Sequence, residues 1–281
     1  MDCLICKSAR NKTVFNEDGI DVKKCLDCGH IYSTYIQKDF YDGYYPESLT
    51  AVNHHWWLDA HQLMYRKFWN RLMKKNSGCI LDVGCGLGYF LKEVSNLDKN
   101  KQWRLFGAET SASAVDFSRR ELDLNNIFLG PIENAPYEEN YFDLITLWDL
   151  IEHLEDPRRS LKKILQILKT DGCLFIATPN IKIQLPKARF KKFLKIGIAH
   201  CLEARDHLHD YSPRTLKRLL QESGFKKIEF IQLPPIQSVS GSSSWLLKVF
   251  KNVWFCFSYL IFYLTFRQFN FNNLYIVVHK N

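Results

Sequence analysis

The stretch Ile80-Leu-Asp-Val-Gly-Cys-Gly-Leu-Gly-Tyr-Phe90 decides the fold of this chain. An apolar run at 80–83, predicted to be a buried strand, leads into glycines at the alternate positions 84, 86 and 88. Residues without Cβ let the backbone turn sharply beside a ligand, and the first N–H groups of the following helix point at that ligand. A dinucleotide-binding turn has the spacing G-x-G-x-x-G, but Tyr89 occupies its third glycine position here. The stretch therefore predicts a strand-to-helix turn that binds a nucleoside without cradling a pyrophosphate.

Further predicted strands follow this turn at regular intervals. The second ends in Glu109, whose carboxylate can accept both hydroxyls of a ribose. The fourth leads into the motif Glu-His-Leu-Glu-Asp-Pro at 152–157. The strands after the first are predicted at 104–109, 126–130, 141–149, 172–180, 225–233 and 273–279. Taken singly, Asp82 is also compatible with a strand-end cap, Glu109 with a solvated loop acid and the glycines with an ordinary tight turn.

Taken in this order, the motifs resemble the class I S-adenosylmethionine (AdoMet) methyltransferases. The resemblance implies an α/β fold with a doubly wound, Rossmann-like sheet, and AdoMet as the cofactor. It also implies an adenine pocket lined by the residues after the third strand. The cofactor-binding residues that we predict are Asp82, Gly84, Cys85, Gly86, Gly88, Glu109, Ile132 and Asp149.

Composition narrows the class of protein further. The chain has 281 residues, of which 46% are hydrophobic, so it can bury a large core and is not disordered. Its formal net charge of +8 favours an anionic partner: a phosphate, a lipid headgroup or a nucleic acid. The beginning of the sequence lacks the apolar core of a signal peptide, and the nine cysteines do not form a dense disulfide framework. We therefore expect a cytoplasmic protein.

Four cysteines near the beginning of the chain form two C-x-x-C pairs. The pairs are Cys3 with Cys6 and Cys25 with Cys28. Two such pairs can complete a tetrahedral site for a structural Zn²⁺, and four thiolates leave no open position for catalysis. A thioredoxin-like redox motif is the alternative, but it leaves the second pair unexplained. Zinc ribbons often bind nucleic acid. Residues 1–45 are nearly balanced in charge, however, and most of their aromatic residues cluster after the last cysteine and not within a basic strip, so nucleic-acid binding is not favoured.

This cysteine module, the segment Asp39-Phe-Tyr-Asp-Gly-Tyr-Tyr-Pro46 and the methyltransferase motifs together resemble bacterial sugar C-methyltransferases, up to about residue 233. The resemblance implies an acceptor that is a sugar, a nucleotide sugar or a lipid-linked glycan. It also implies a carboxylate–histidine pair at Asp206 and His207, with Asp206 replacing the Glu of that family. We predict His207 as the catalytic base, oriented by Asp206. His153, beyond the fourth strand, is a second candidate, and packing is an equal alternative for it.

Two further segments suggest a surface contact. Residues 187–196 carry five basic residues and no acid, and residues 252–266 carry no charge and many aromatic side chains. Membrane-surface contact through 187–196 and 245–267 is the first interpretation of these segments. Packing on the core is the alternative for the first, and a buried dimer or domain interface for the second. We predict that 252–266 forms a helical hairpin or an interfacial element, because it is too short to span a bilayer.

These observations predict three regions: a zinc-ribbon-like module at 1–45, a methyltransferase domain at 46–233, and a hydrophobic helical insert with the last strand at 234–281. Two alternative functions stay open. One is a methyltransferase of a small lipophilic acceptor such as a quinone or a polyketide. The other is a nucleic-acid-binding protein that retains a non-catalytic AdoMet domain.

Overall fold

The computed structural model describes residues 2–3, 5–36, 55–195, 201–236 and 245–280, with backbone alone at 55–57 and 245–248. The predicted boundary at 45/46 and the aromatic segment 39–46 lie outside these residues. Eleven strands are described: β1 (Asn11–Glu17), β2 (Ile20–Cys25), β3 (Ile31–Ser33), β4 (Gly78–Val83), β5 (Trp103–Glu109), β6 (Ile127–Leu129), β7 (Phe142–Trp148), β8 (Leu168–Thr178), β9 (His209–Asp210), β10 (Lys227–Ile231) and β11 (Leu274–His279).

Seven of these strands form one sheet in the order β10-β11-β8-β7-β4-β5-β6. The strands β4, β5, β6, β7 and β8 pair in parallel, whereas β11 lies antiparallel to both β8 and β10. The apolar runs of β4 and β7 are buried nearly throughout, as expected for strands covered on both faces. The α/β doubly wound sheet predicted from the sequence is confirmed. The chief difference in strand bounds is that β8 begins at Leu168 and not at the predicted residue 172.

Helices cover both faces of this sheet. Several begin at a side chain that accepts a hydrogen bond from the first turn: Ser111 caps α3, Asp156 caps α4, and Asn180 caps α5. Ser212 and Thr215 form a reciprocal capping box on α6. The helices are α1 (His55–Leu72), α2 (Tyr89–Leu97), α3 (Ala112–Leu122), α4 (Pro157–Ile167), α5 (Ile181–Leu194), α6 (Pro213–Glu222) and α7 (Trp245–Leu264).

A second, antiparallel sheet has the order β1-β2-β3-β9. Its last strand comes from far along the chain: Tyr32 pairs with His209, and Ile31 with Asp210. The carboxylate of Glu17 in β1 accepts hydrogen bonds from the backbone N–H groups of Leu202 and Ala204, at 2.8 and 2.7 Å. The small sheet therefore fixes the segment around residues 202–210 against the rest of the protein.

The C-terminal hydrophobic region forms one helix, α7, so the predicted hairpin is not formed by the described residues. Phe262 and Ser258 face inward and are fully buried. Arg71 of α1 donates a hydrogen bond to the Tyr263 hydroxyl, and Arg267 forms an ion pair with Glu229 of β10. Within the described ranges, none of the helices combines the length and apolarity that crossing a membrane requires.

Candidate active site

The glycine turn, residues 84–88, connects β4 to α2 at the carboxyl end of the sheet. Gly84, Gly86 and Gly88 all adopt positive φ, at 67°, 53° and 81°. A Cβ on Gly84 would lie 2.6 Å from Leu150 Cδ1, and a Cβ on Gly88 would lie 2.6 Å from Leu124 Cδ1. Backbone conformation therefore favours glycine at all three positions, and the available space also requires it at Gly84 and Gly88.

Glu109 lies beside this turn, at the end of the adjacent strand β5. Its Oε2 accepts a hydrogen bond from the Gly86 N–H at 2.8 Å. Its Oε1 accepts hydrogen bonds from the N–H groups of Thr110 and Ser111, at 2.8 and 2.9 Å. The carboxylate is thus held in one orientation between two strand ends, which is the position predicted for binding a ribose.

Asp82 and Cys85 lie beneath the turn and are buried. The Thr146 hydroxyl of β7 donates a hydrogen bond to Asp82 Oδ1 at 2.7 Å. Burial, with a smaller contribution from Glu109, raises the pKa of the Asp82 carboxyl to about 8. Cys85 Sγ fills the space over Gly107, where a Cβ would lie 2.7 Å from the sulfur, and burial raises the pKa of its thiol. These contacts support the turn from below.

Two further predicted cofactor residues follow neighbouring strands. Ile132 lies after β6 in a 3₁₀ turn (Ile132–Asn134) and is buried. Asp149 follows β7 with a positive φ of 46°, and its backbone N–H donates to the Ala177 carbonyl. The Asp149 side chain is solvent-exposed. Desolvation by the neighbouring protein, and then the charge of Glu203, raise the pKa of its carboxyl above the ordinary value.

Beyond Asp149, two of the predicted catalytic residues meet in a group that we call the histidine cluster: Glu152, His153, Glu203 and His207. The rings of His153 and His207 lie 4.8 Å apart, centre to centre, and nearly perpendicular. Glu152 is buried, and its Oε2 accepts a hydrogen bond from the Thr178 hydroxyl at the end of β8. One potential ligand atom from each of Glu152, His153 and His207 lies within 4.8 Å of the others.

Burial favours the neutral form of both histidine rings. Burial, and then the neighbouring His207, lowers the pKa of His153 to about 4. Its Nδ1 lies 2.9 Å from the Asp206 carbonyl, and because a carbonyl can only accept, Nδ1 carries the proton. Burial also lowers the pKa of His207, against the opposing effect of Asp206 and of a hydrogen bond to the Leu202 carbonyl. A neutral, largely enclosed ring at His207 can accept a proton from a ligand.

The sequence did not identify Glu203. This residue adopts a positive φ of 55°, and its carbonyl accepts hydrogen bonds from the N–H groups of Asp206 and His207. Its carboxylate Oε2 lies 3.3 Å from His207 Nε2. The acidic side chain in contact with His207 is therefore that of Glu203, four residues earlier in the chain. Asp206 was predicted for that position. It contributes its backbone carbonyl to His153 and the field of its carboxylate to His207. The i, i+4 spacing of Glu203 and His207 was the available sequence signal.

The four cysteines predicted to bind metal also meet. Cys3 Sγ lies 3.5 Å from Cys28 Sγ, and Cys6 Sγ lies 3.5 Å from Cys25 Sγ. All four sulfur atoms lie within 4.8 Å of one another. Tetrahedral Zn²⁺ with Zn–S bonds of about 2.3 Å requires sulfur atoms about 3.8 Å apart. The donor set and its spacing therefore fit a closed tetrathiolate metal site.

The chain matches the family model described as "Methyltransferase domain" over residues 56–229, which is more than half of its length. The match covers the glycine turn, Glu109 and the histidine cluster. The protein therefore belongs to this methyltransferase family, and membership implies AdoMet as the methyl donor.

Among curated relatives, the chain is 32% identical over 138 residues to (S)-coclaurine N-methyltransferase of Papaver somniferum, covering 48% of this chain and 37% of the relative. It is 29% identical over 105 residues to a ubiquinone biosynthesis O-methyltransferase of Coxiella burnetii, covering 36% of this chain and 43% of the relative. The chain thus spans less than half the length of these relatives.

Solved structures share the fold at lower identity. A possible histamine N-methyltransferase of Thermotoga maritima superposes with a TM-score of 0.53 at 18% identity, over 84% of this chain and 97% of the other. A complex between the Haloferax volcanii Trm112 methyltransferase activator and the putative methyltransferase gives a TM-score of 0.54 at 17% identity, over 83% of this chain and 96% of the other. These similarities support the fold.

Proposed function

We propose that this protein transfers the methyl group of AdoMet to a sugar, carried as a nucleotide sugar or a lipid-linked glycan, with His207 as the general base. The observation that carries the assignment of the base is the position of the histidine cluster, and the sugar acceptor is what the resemblance to sugar C-methyltransferases implies. The glycine turn follows β4, Asp149 follows β7, and Glu152 contacts the end of β8, and these parallel strands are neighbours. Donor and base would therefore share one edge of the sheet, where open α/β folds bind ligands.

When bound, AdoMet would supply a methyl group on a positively charged sulfur, already activated for displacement. The glycine turn, Glu109 and the pocket around Ile132 would hold it. The protein's remaining task is to align the acceptor and to remove its proton. The neutral His207 ring would take the acceptor proton as the acceptor atom bonds to the methyl carbon and the sulfur leaves as a thioether. The Glu203 carboxylate and the Leu202 carbonyl favour the protonated ring that results.

The direct test incubates the full chain with methyl-labelled AdoMet and a panel of nucleotide sugars, and follows the label by mass spectrometry. We expect label in a sugar product, and its loss in His207→Ala. Label that appears only in phenols or amines would contradict the sugar proposal. Glycans and lipids from a deletion strain, compared with those of the parent by mass spectrometry, would identify the natural acceptor.

A small lipophilic acceptor is the second candidate. It is supported by the names of the two curated relatives, (S)-coclaurine N-methyltransferase and ubiquinone biosynthesis O-methyltransferase. The carboxylates of Glu203 in the histidine cluster and of Asp149 beside it would suit an acceptor amine. The same labelling experiment separates the candidates if quinols and secondary amines are included beside the sugars.

We also propose that Cys3, Cys6, Cys25 and Cys28 hold one structural Zn²⁺, and that the protein works in the cytoplasm, where thiols stay reduced. Elemental analysis of freshly isolated protein should give about one zinc per chain. Cys25→Ser should lower the metal content and expose the small sheet to protease. Cys256→Ser, on the exposed surface of α7, is the matched control and should leave both unchanged. Wild-type protein without metal would contradict the proposal.

A further inference from the structure

We propose that Glu152, His153 and His207 of the histidine cluster bind a divalent transition-metal ion, and that the bound ion inhibits methyl transfer. This site is distinct from the four cysteines, which hold their metal with sulfur atoms alone. The binding of the ion is argued from geometry and donor chemistry. The inhibition rests on the proposed function, in which His207 is the base.

The three side chains offer the donor set of a well-known kind of metal site. Two imidazoles and one carboxylate bind Zn²⁺ in some hydrolases and Fe²⁺ in some oxygenases, with positions left open for water or substrate. One potential ligand atom of each of the three residues lies within 4.8 Å of the others. Tetrahedral bonds of about 2.1 Å require ligand atoms about 3.4 Å apart, so the side chains can close on an ion by moving about an ångström at most.

The Glu152 carboxylate has one oxygen available to a cation. The residue is only 1% exposed, and its Oε2 accepts a hydrogen bond from the Thr178 hydroxyl at 2.9 Å. Its Oε1 is also buried and has no hydrogen-bond partner among the residues that the structure describes. A buried carboxylate oxygen without a partner costs free energy, and a metal ion would both bind this oxygen and neutralise the charge.

Both histidines are oriented as metal-binding histidines usually are. Such a ring binds the ion through one nitrogen and donates the N–H of the other to a carbonyl or a carboxylate. His153 Nδ1 donates to the Asp206 carbonyl at 2.9 Å, so its Nε2 carries the lone pair. The His207 ring has a hydrogen bond to the Leu202 carbonyl, and its Nε2 lies 3.3 Å from Glu203 Oε2. That distance is close to the spacing of two ligands on one ion, so Glu203 is placed to act as a further ligand.

A bound ion and the acceptor proton compete for the same group. The neutral His207 ring takes a proton on the lone pair of one nitrogen, and a metal ion bound to that nitrogen uses the same lone pair. The acceptor then keeps its proton, so methyl transfer slows while the ion is bound. The cluster has fewer charged donors than four thiolates, so we expect a mild chelator to remove its ion while the cysteines retain theirs.

The experiment titrates the full chain with Co²⁺, after dialysis against a mild chelator that leaves zinc on the cysteines. We expect calorimetry to show about one further ion per chain, and the thermal unfolding midpoint to rise with Co²⁺. Glu152→Gln, which keeps the size of the side chain, and His153→Ala should each weaken Co²⁺ binding by at least about tenfold. Cobalt on the cysteines would be recognised by the strong near-ultraviolet absorption of cobalt–thiolate bonds, which a site of nitrogen and oxygen ligands lacks.

The matched control is Glu155→Gln, which changes an exposed acid three residues after Glu152 and should bind Co²⁺ as wild type does. Wild-type protein that binds no ion beyond the cysteines would overturn the metal site and leave the proposed function standing, as would a Glu152→Gln variant that binds as tightly as wild type.

The inhibition has its own readout. Saturating Co²⁺ should lower wild-type turnover by about 10²-fold or more, the contribution of a general base, and excess chelator should restore it. An ion that binds while turnover stays constant or rises would overturn the inhibition, and with it the assignment of His207 as the base.

Discussion

The glycine turn and the histidine cluster face the same edge of the sheet but are assembled in different ways. The turn and Glu109 come from two consecutive strands, β4 and β5, and each is fixed by contacts within a short stretch of chain. The histidine cluster joins residues after β7 to residues from the segment around 202–210. That segment is itself positioned by Glu17 and β3 of the small sheet. The predicted donor site is therefore local in sequence, whereas the proposed catalytic site depends on packing between distant segments.

The largest expected effect concerns the glycine turn. Gly86→Arg should abolish AdoMet binding, because its φ of 53° disfavours a side chain and the guanidinium would pair with the Glu109 carboxylate beside it. Calorimetry measures the loss, and an unchanged thermal unfolding midpoint is the control. Retained affinity would mean that AdoMet binds elsewhere.

The next effect tests the histidine cluster. His207→Ala should lower turnover by about 10²–10⁴ while AdoMet affinity stays nearly constant, because the ring would face the acceptor. His153→Ala is the comparison. If His153→Ala causes the large loss of turnover and His207→Ala causes a small one, the base is His153, directly beyond β7. The contribution of the segment around 202–210 is then only structural.

Glu109→Ala should weaken AdoMet binding by roughly 1–3 kcal/mol, since charged hydrogen bonds to the ribose are lost. Turnover at saturating AdoMet should change much less. A loss of turnover without a loss of affinity would show that Glu109 acts on the chemical step. That result would contradict the division of the site into a donor-binding part and a catalytic part.

The difference between the local glycine turn and the histidine cluster, which is assembled from distant segments, explains how much of the site could be predicted from the sequence. The apolar run of β4 and the three glycines required by positive φ are local signals, so the fold and the position of Glu109 followed from them. Glu203 was missed because its contact with His207 depends on its own left-handed backbone and on a segment anchored by Glu17. The family pattern instead suggested the side chain of Asp206, whose carbonyl is the group that contacts His153.

The predicted helical insert forms as the single helix α7, and its extent was missed for another physical reason. The uncharged stretch at 252–266 contains no residues that mark the beginning or end of a helix. The prediction therefore took the flanking charged residues, Lys251 and Arg267, as the limits of the element. The helix begins earlier, at Trp245, and includes two lysines. Ser258 and Phe262 are buried and Tyr263 accepts a hydrogen bond from Arg71 of α1, and the sequence pattern does not show these tertiary contacts of its C-terminal half.

The smallest expected effect separates Glu203 from Asp206. Glu203→Gln should lower turnover by about tenfold, because it removes the negative charge that stabilises a protonated His207 while keeping the side chain's size. Asp206→Asn is the matched control and should cost less, since the Asp206 carbonyl that holds His153 is unchanged. Equal losses in the two variants would restore Asp206 to the orienting role predicted from the sequence.

The pH profile sharpens this last comparison. Burial lowers the pKa of His207 below its ordinary value of 6.5, so its neutral form persists as the pH falls through 6.5 and is lost only below the shifted pKa. The acidic limb of kcat/KM should therefore lie below pH 6.5. Removing the Glu203 charge should move that limb further down, because the protonated ring loses a stabilising partner, while Asp206, Glu17 and His153 still face it. A limb above pH 6.5, or one that does not move in Glu203→Gln, would show that another group accepts the proton.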